Sequence, residues 1–356
     1  MLEILENFLV FATAFALAGF ATACVARAAS SLRPDRLSPR ALARVYTLAL
    51  VVPPLAAGWL VAAALLPCWW LGESGVSAAH PAPLHGLHLV GDLTARLEPL
   101  LGSAVVLLVA GTALLVAWST GRGHRRLAWA VARLELDGAQ PPAEHLALVQ
   151  AAARRHGLEV GLVQSDYPFS FVWGFRRSKL VVSSGLLAAL TPGELAGVLE
   201  HEAAHHARRD NLVKLALVIA AHASLAPPLG RRLLRWRNEQ VELLCDEIAA
   251  ARGSAPLDIA EALVKLRRRT QAHGARPALA VTASRFVPDD DASVERRVRR
   301  LVALADLALP PGASTPPRGA LALTVAALFL GSLAALGAWA PLAVHAATES
   351  LLQTLR

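Results

Sequence analysis

Residues 191–210 read Thr-Pro-Gly-Glu-Leu-Ala-Gly-Val-Leu-Glu-His-Glu-Ala-Ala-His-His-Ala-Arg-Arg-Asp. Thr191 suits an N-cap, Pro192 the first helical position and Glu194 the reciprocal half of a capping box, so a helix starts here. Leu195, Val198 and Leu199 keep helical spacing up to His201, which places His201-Glu202-x-x-His205 inside that helix and not in a loop. His201 and His205 then lie one turn apart on one face, where both imidazoles reach a single metal ion. Glu202 sits beside them. A carboxylate there does not easily join the same tetrahedron, but it can take a proton from a metal-polarised water and hand it to a leaving amine. The pattern reads as the site of a zinc hydrolase holding one Zn2+ per chain.

The neighbouring stretches supply the rest of a ligand set. Asp210 suits a second N-cap, and residues 212–226 are apolar except for Lys214 and His222, ending at Pro227-Pro228. A third helix is predicted from about Leu229 to Arg252, with Gly253 as its stop. Within it Glu242 and Asp246 are four apart and share a face, which suits a ligating carboxylate backed by a second one. Glu242 is the best available third ligand for a site that keeps its fourth position open. Cys245 competes for the same role, since a thiolate also binds zinc; otherwise it is a small buried apolar residue. Upstream, Phe169, Phe171 and Trp173 alternate with Ser170 and Val172 up to Gly174, the period of a β-strand. Such a strand is either an exposed edge that pairs with an extended substrate peptide or an ordinary core strand. His222, His156 and Arg177 are candidates for oxyanion stabilisation by residue type alone.

His201-Glu202-x-x-His205, the following Arg208-Arg209-Asp210 and the later Glu242-x-x-Cys245-Asp246 resemble the gluzincin core of the BlaR/MecR family of membrane metallopeptidases. The resemblance extends to Pro168–Gly174 with Lys179–Val182, and to Glu295-Arg296-Arg297-Val298 and Leu301, covering roughly residues 140–305. It implies that His201, His205 and Glu242 bind zinc, that Glu202 is the general base and that Asp246 orients a histidine ligand. It also implies regulated proteolysis, with a cytosolic transcriptional repressor as the substrate.

A hydrophobic content of 55% with a mean hydropathy of +0.45 is too apolar for an ordinary soluble enzyme. Apolar runs at about 7–26, 45–66, 100–118 and 319–344 are each long enough to cross a bilayer. The first lacks the basic start and cleavage site of a signal peptide. Arg27, Arg33, Arg36, Arg40 and Arg44 crowd the link between the first two runs, and Arg122, Arg125 and Arg126 follow the third, whereas the loop 67–98 carries only Arg96. By the positive-inside rule the 27–44 link and the metal domain are cytoplasmic. The expected fold is thus a mainly α membrane protein: three transmembrane helices within 1–119 with an outer loop 67–98, a cytoplasmic α+β gluzincin zinc metallopeptidase domain over 120–318, a fourth transmembrane helix at 319–344 and a short outer tail, 345–356. That tail leaves no room for the external penicillin-binding sensor of the β-lactam receptors. The outer loop, with Cys68, Trp69, Trp70, His80, His85 and His88, is the alternative sensing surface, or else an interfacial loop with incidental histidines.

The net charge of +8 and pI near 10.3 raise the question of nucleic acid. The charges flank membrane segments, and no zinc-finger, helix-turn-helix or RNA-binding pattern is present, so no direct nucleic-acid binding is expected. Arg231, Arg232, Arg235 and Arg237 and the run Arg267-Arg268-Arg269 suit anionic headgroups or solvent. The three cysteines force no disulfide. Residues 212–226 either pack on the metal domain, the preferred reading, or form a membrane hairpin with part of 229–252, a layout similar to the HtpX and Ste24 membrane proteases. Residues 270–292 read as a surface linker. The function expected is a membrane-embedded zinc endopeptidase whose partners are the lipid bilayer and a peptide or protein substrate, in particular a cytosolic repressor, with oligomers compatible with the sequence. The alternatives are an HtpX/Ste24-like quality-control or processing protease, and a non-catalytic membrane receptor.

Overall fold

The structure, a computed structural model, describes residues 38–51, 142–174, 178–223, 227–272 and 291–306, with scattered positions between 111 and 125. The predicted spans 7–26 and 319–344, the outer loop and the tail lie outside the described residues, as do most of the spans 45–66 and 100–118. Among the described residues no helix is long and apolar enough to cross a membrane. The chain divides into two units, one of residues 1–115, 217–237 and 317–356, the other of 116–216 and 238–316. The stretch expected as one metal domain is therefore interrupted, because 217–237 groups with the unit that holds most of the predicted spans.

In chain order the elements are α1 (Ala143–His156), β1 (Glu159–Val163), β2 (Ser170–Trp173), β3 (Lys179–Ser183), α2 (Ser184–Ala189), α3 (Pro192–Ala207), α4 (Asp210–Ala223), α5 (Pro227–Ala251), α6 (Pro256–Ala272) and α7 (Asp291–Asp306). A further helix occupies residues 39–51. The sheet has the order β1-β3-β2, with β3 parallel to β1 and antiparallel to β2. Gly157 lets α1 turn directly into β1. Its φ of 66° is the left-handed conformation that a side chain disfavours, and Leu158 N closes the helix end on Ala153 O at 2.8 Å.

The second unit is built around α3, which carries the His-Glu-x-x-His pattern. Its capping box forms as expected: Thr191 Oγ1 accepts from Glu194 N, and Glu194 Oε2 accepts from Thr191 N at 2.8 Å. Lys265 of α6 also donates to Glu194, joining the start of α3 to its neighbour. Leu195, Val198 and Leu199 bury one face of α3 in a core shared with Leu180 and Val182 of β3 and Ile259, Leu263 and Leu266 of α6. A Cβ at Gly197 would stand 2.8 Å from Ile259 Cγ1, so the absence of a side chain there sets how closely α3 and α6 pack. Every one of these leucine and valine side chains is withdrawn from water, which fixes α3 in rotation about its axis and so fixes where His201, Glu202 and His205 point.

Candidate active site

His201 and His205 come from successive turns of α3, with ring centroids 4.9 Å apart. Their Nε2 atoms face each other at 3.2 Å. Glu242, from α5, lies across from both, with Oε2 at 3.4 Å from His201 Nε2 and Oε1 at 3.5 Å from His205 Nε2. These three donors could hold one metal ion between them.

The other face of each imidazole is occupied by a carboxylate. His201 Nδ1 donates to Asp246 Oδ1 at 2.8 Å, and His205 Nδ1 donates to Asp210 Oδ2 at 3.0 Å. With Nδ1 carrying the proton in each ring, both Nε2 atoms present lone pairs. Two lone pairs and a carboxylate pointed at one another repel unless a cation or proton lies between them. The donor set, two imidazoles and one carboxylate with a carboxylate behind each ring, fits Zn2+.

Each backing carboxylate is in turn held by an arginine. Arg297 of α7, 1% exposed, places Nε 2.7 Å from Asp246 Oδ2 and Nη2 2.6 Å from Oδ1, a two-pronged contact, and Nη1 reaches Glu242 Oε2 at 3.3 Å. Burial works against ionisation of Asp246, but the Arg297 charge and its hydrogen bonds outweigh it and hold the carboxyl below its usual range. Glu242 is lowered well below that range, with burial outweighed by His205, His201 and Arg297. Asp210 accepts from Arg208 Nε at 3.0 Å. Two parallel chains result, His201–Asp246–Arg297 and His205–Asp210–Arg208.

Cys245 does not join the three converging donors. Its Sγ lies 3.5 Å from His205 Nδ1 and 4.0 Å from Asp210 Oδ2, on the side of the ring opposite Nε2. Burial pushes its thiol up, so it stays neutral at pH 7 and fills space behind the ligand. His205 itself is raised well above its ordinary value: burial opposes the imidazolium, while Cys245, Glu242 and Asp210 favour it. With the thiol neutral, the two carboxylates carry that effect.

Glu202 is fully buried. Burial raises its carboxyl to about 7, against the lowering influence of His205 and His201. Ser170 Oγ donates to Glu202 Oε1 at 3.3 Å, and Oε2 has no hydrogen-bond partner among the described residues. A carboxylate with one oxygen oriented and the other uncommitted, beside the converging donors, is placed to accept a proton.

The strand residues fall differently from the expectation. β2 is the edge of the described sheet, yet Ser170, Phe171 and Val172 are 2%, 0% and 3% exposed, so this edge is not open. Phe169, Phe171 and Trp173 form a cluster with Val163 and Val181, with Phe169 stacked on Phe171, whereas Ser170 and Val172 alternate onto the face toward α3. The aromatic side chains therefore pack as an ordinary core face, and it is Ser170 that meets Glu202. Ser183 N donates to Phe169 O at 3.1 Å, which by alternation turns the main-chain groups of Ser170 and Val172 away from β3. Asn211 Nδ2 donates to Val172 O at 2.9 Å. Of the oxyanion candidates, His156 is engaged with Glu200 at 3.1 Å. Arg177 and the side chain of His222 lie outside the described residues.

Sequence reasoning missed three residues of this centre. Asp210 is legible as a helix cap and as part of the Arg208-Arg209-Asp210 resemblance, but its contact with His205 depends on the turn at Arg209, whose φ is 54°. Arg297 lies 51 residues from Asp246, and Ser170 lies 32 from Glu202, so nothing in local spacing joins them.

Residues 140–278 match the family model for Peptidase family M48, a stretch that contains all of these residues except Arg297. Among curated proteins the chain is similar to Protease HtpX of Psychrobacter sp. (strain PRwf-1), 44% identical over 62 residues, or 17% of this chain and 20% of that protein. It is also similar to the Protease HtpX homolog of Methanocaldococcus jannaschii, 32% identical over 94 residues (25% of this chain, 32% of the relative). The Protease HtpX homolog of Acidiphilium cryptum is 32% identical over 133 residues, 34% of this chain and 44% of the relative. The chain thus spans between a fifth and less than half of the length of these relatives. The matches support an M48-type metallopeptidase region and fall with the HtpX resemblance, not with BlaR/MecR.

Two outcomes are expected from this geometry. Metal must displace the proton that His205 holds and favours the ionised form of Glu202, so binding releases protons, and zinc affinity should fall as pH falls, most steeply below 7. Chelator competition across that range should give about tenfold weaker binding per pH unit for each proton released; an affinity independent of pH would contradict it. Arg297→Leu strands the buried Asp246 and the partly buried Glu242 carboxylates and should weaken zinc binding by roughly 10–100-fold, with Arg297→Lys recovering part of the loss. The same chelator titration measures both variants.

Proposed function

We propose that this chain is a membrane-embedded, zinc-dependent endopeptidase of the HtpX kind. The observation that carries the reading is the convergence of His201 Nε2, His205 Nε2 and the Glu242 carboxylate within 3.5 Å, with Glu202 buried beside them. His201, His205 and Glu242 would hold the metal. Zinc there would supply a Lewis acid to polarise the scissile carbonyl and to make water a nucleophile at neutral pH.

The chain's own residues then divide the remaining work. Glu202 takes the proton of the attacking water on Oε2 and returns it to the leaving amine. Ser170 fixes the other oxygen of that carboxylate, which limits its rotation. Asp246 and Asp210 keep each imidazole in the tautomer that leaves Nε2 free, and stop the rings from turning away. Burial of Glu202 keeps bulk water from solvating the carboxylate and so keeps it basic near pH 7.

Membrane placement is supported by the apolar runs at 7–26, 45–66, 100–118 and 319–344, and a cytosolic active site by the arginines at 27–44 and 122–126. The similarity to proteins named Protease HtpX supports a protein substrate. Cleavage of a dedicated cytosolic repressor is the narrower reading, and it has in its favour only that same cytosolic placement.

The full chain should bind one zinc and cleave casein or an unfolded membrane protein without an inducing signal. Glu202→Gln should retain the zinc and lose turnover by several orders of magnitude, while His205→Ala should lose the zinc itself. Stoichiometric zinc in a His201→Ala, His205→Ala double variant would sink the ligand set. Cleavage confined to one co-expressed repressor would select the narrower reading. For orientation, alkaline phosphatase fused after Gly138 should be inactive and fused after Ala78 active; the reverse pattern would move the site out of the cytosol.

A further inference from the structure

The first unit contains a feature that the peptidase chemistry does not use. Its described residues carry Arg40, Arg44, Arg231, Arg232, Arg235 and Arg237, and among those described residues there is no Asp or Glu. Arg40 and Arg44 stand one turn apart on the exposed side of helix 39–51, whose other side buries Leu42, Ala43, Tyr46, Ala49 and Leu50. Arg231, Arg232 and Arg235 are exposed at the start of α5, on either side of the buried Leu233.

The two elements meet. Tyr46 packs on Trp236 with ring centroids 5.7 Å apart, and Arg232 lies over the same Trp236 ring at 4.7 Å. The α4 and α5 segments are pinned together where a Cβ at Gly230 would stand 2.9 Å from Ala221 O, so α5 begins in direct contact with the end of α4. The arginines are thus displayed from a packed, aromatic-braced surface.

Position along the chain says what that surface meets. Helix 39–51 runs from the arginine-rich 27–44 link into the second predicted span, so its arginines stand where that span leaves the hydrocarbon. Tyr and Trp prefer the same depth, where the ring is in the apolar boundary and the polar edge in the headgroups. Arginine binds phosphate oxygens in a two-pronged geometry, and anionic lipid concentrates such phosphates at the cytoplasmic face. A surface of arginines and aromatic rings, with no acid among the described residues of its own unit, matches that layer in charge and in polarity.

We propose that helix 39–51 and the start of α5 form a binding surface for anionic phospholipid headgroups, with Arg44, Arg231, Arg232 and Arg235 as the phosphate contacts and Trp236, braced by the buried Tyr46, as the interfacial anchor. The proposal rests on the membrane placement of the chain and is independent of its peptidase activity.

The test uses the purified full-length chain in detergent, with short-chain phosphatidylglycerol and phosphatidylcholine as probes and thermal unfolding as the readout. Phosphatidylglycerol should raise the unfolding temperature at concentrations where phosphatidylcholine does not. In the Arg231→Gln, Arg232→Gln, Arg235→Gln triple variant the half-saturating concentration should rise by about a hundredfold, since each arginine at an anionic surface contributes about fivefold. The corresponding triple Lys variant should stay within about tenfold of the parent, because it keeps the charge. An unchanged phosphatidylglycerol response in the Gln variant, or an equal response to phosphatidylcholine, overturns the proposal. So does an RNA oligonucleotide that binds the same arginines more tightly than the lipid. Release of the chain from native membranes by alkaline carbonate is read separately, and it would refute the membrane placement instead.

Discussion

Mutual repulsion among three electron-pair donors is the constraint on which the second unit depends. His201 Nε2, His205 Nε2 and the Glu242 carboxylate face one another within 3.5 Å, an arrangement that only a metal cation or a proton between them makes favourable. Holding it requires that neither imidazole rotate and that no carboxylate withdraw toward solvent. Each ring is therefore tied through Nδ1 to a carboxylate, and each carboxylate to an arginine. The two chains are not equal. Arg297 is 1% exposed and grips Asp246 with two nitrogens, whereas the Arg208 side chain is 24% exposed and so more screened by water. His201 is the more firmly held ligand, and His205 is the one whose position depends on local backbone.

That backbone is the two-residue turn between α3 and α4. Arg209 adopts φ 54°, a conformation that costs a side-chain-bearing residue about 1–2 kcal/mol. The turn reverses the chain tightly enough for Asp210, five residues after His205, to reach back to its ring. It also puts Asn211 where its amide meets Val172 O at 2.9 Å. One strained residue thus links the second imidazole to the strand that carries Ser170, and through Ser170 to Glu202. Strain concentrated at such a point is what an over-determined site tolerates, because the contacts on either side of Arg209 are worth more than its conformational cost.

How much of this was legible in the sequence depended on the range of each signal. The capping box of Thr191 and Glu194, the helical phase of His201 and His205, and the shared face of Glu242 and Asp246 are all set within a turn or two of helix, and the structure reproduces each of them. The alternation at 169–173 was correctly a strand, but period two names two faces without saying which one meets the neighbouring helix. The aromatic set is the more conspicuous and went to the sheet's other side. Arg297 could not be found by spacing at all, since it is brought to Asp246 by the packing of Val294, Val298 and Leu301 in the core shared with α6. Nor could hydropathy along α4 and α5 reveal that both helices change unit part-way, at residues 216 and 237.

The same distinction separates the resemblance to BlaR/MecR from the similarity to proteins named HtpX. The residues that suggested it, two histidines a turn apart, a glutamate between them and an acidic pair on a later helix, are those that any peptidase must have to bind zinc through two imidazoles and a carboxylate with a base alongside. Chemistry forces them, so they are shared by proteins that differ in substrate and regulation. What separates such proteins lies in parts the reaction leaves free to vary. In this chain the α4–α5 segment from 217 to 237, with its arginines and its Trp236, contributes none of those metal-centre residues. The metal centre therefore defines the reaction far more tightly than the biological role, because the constraint weakens with every residue that does not touch the metal, the base or the bond being broken.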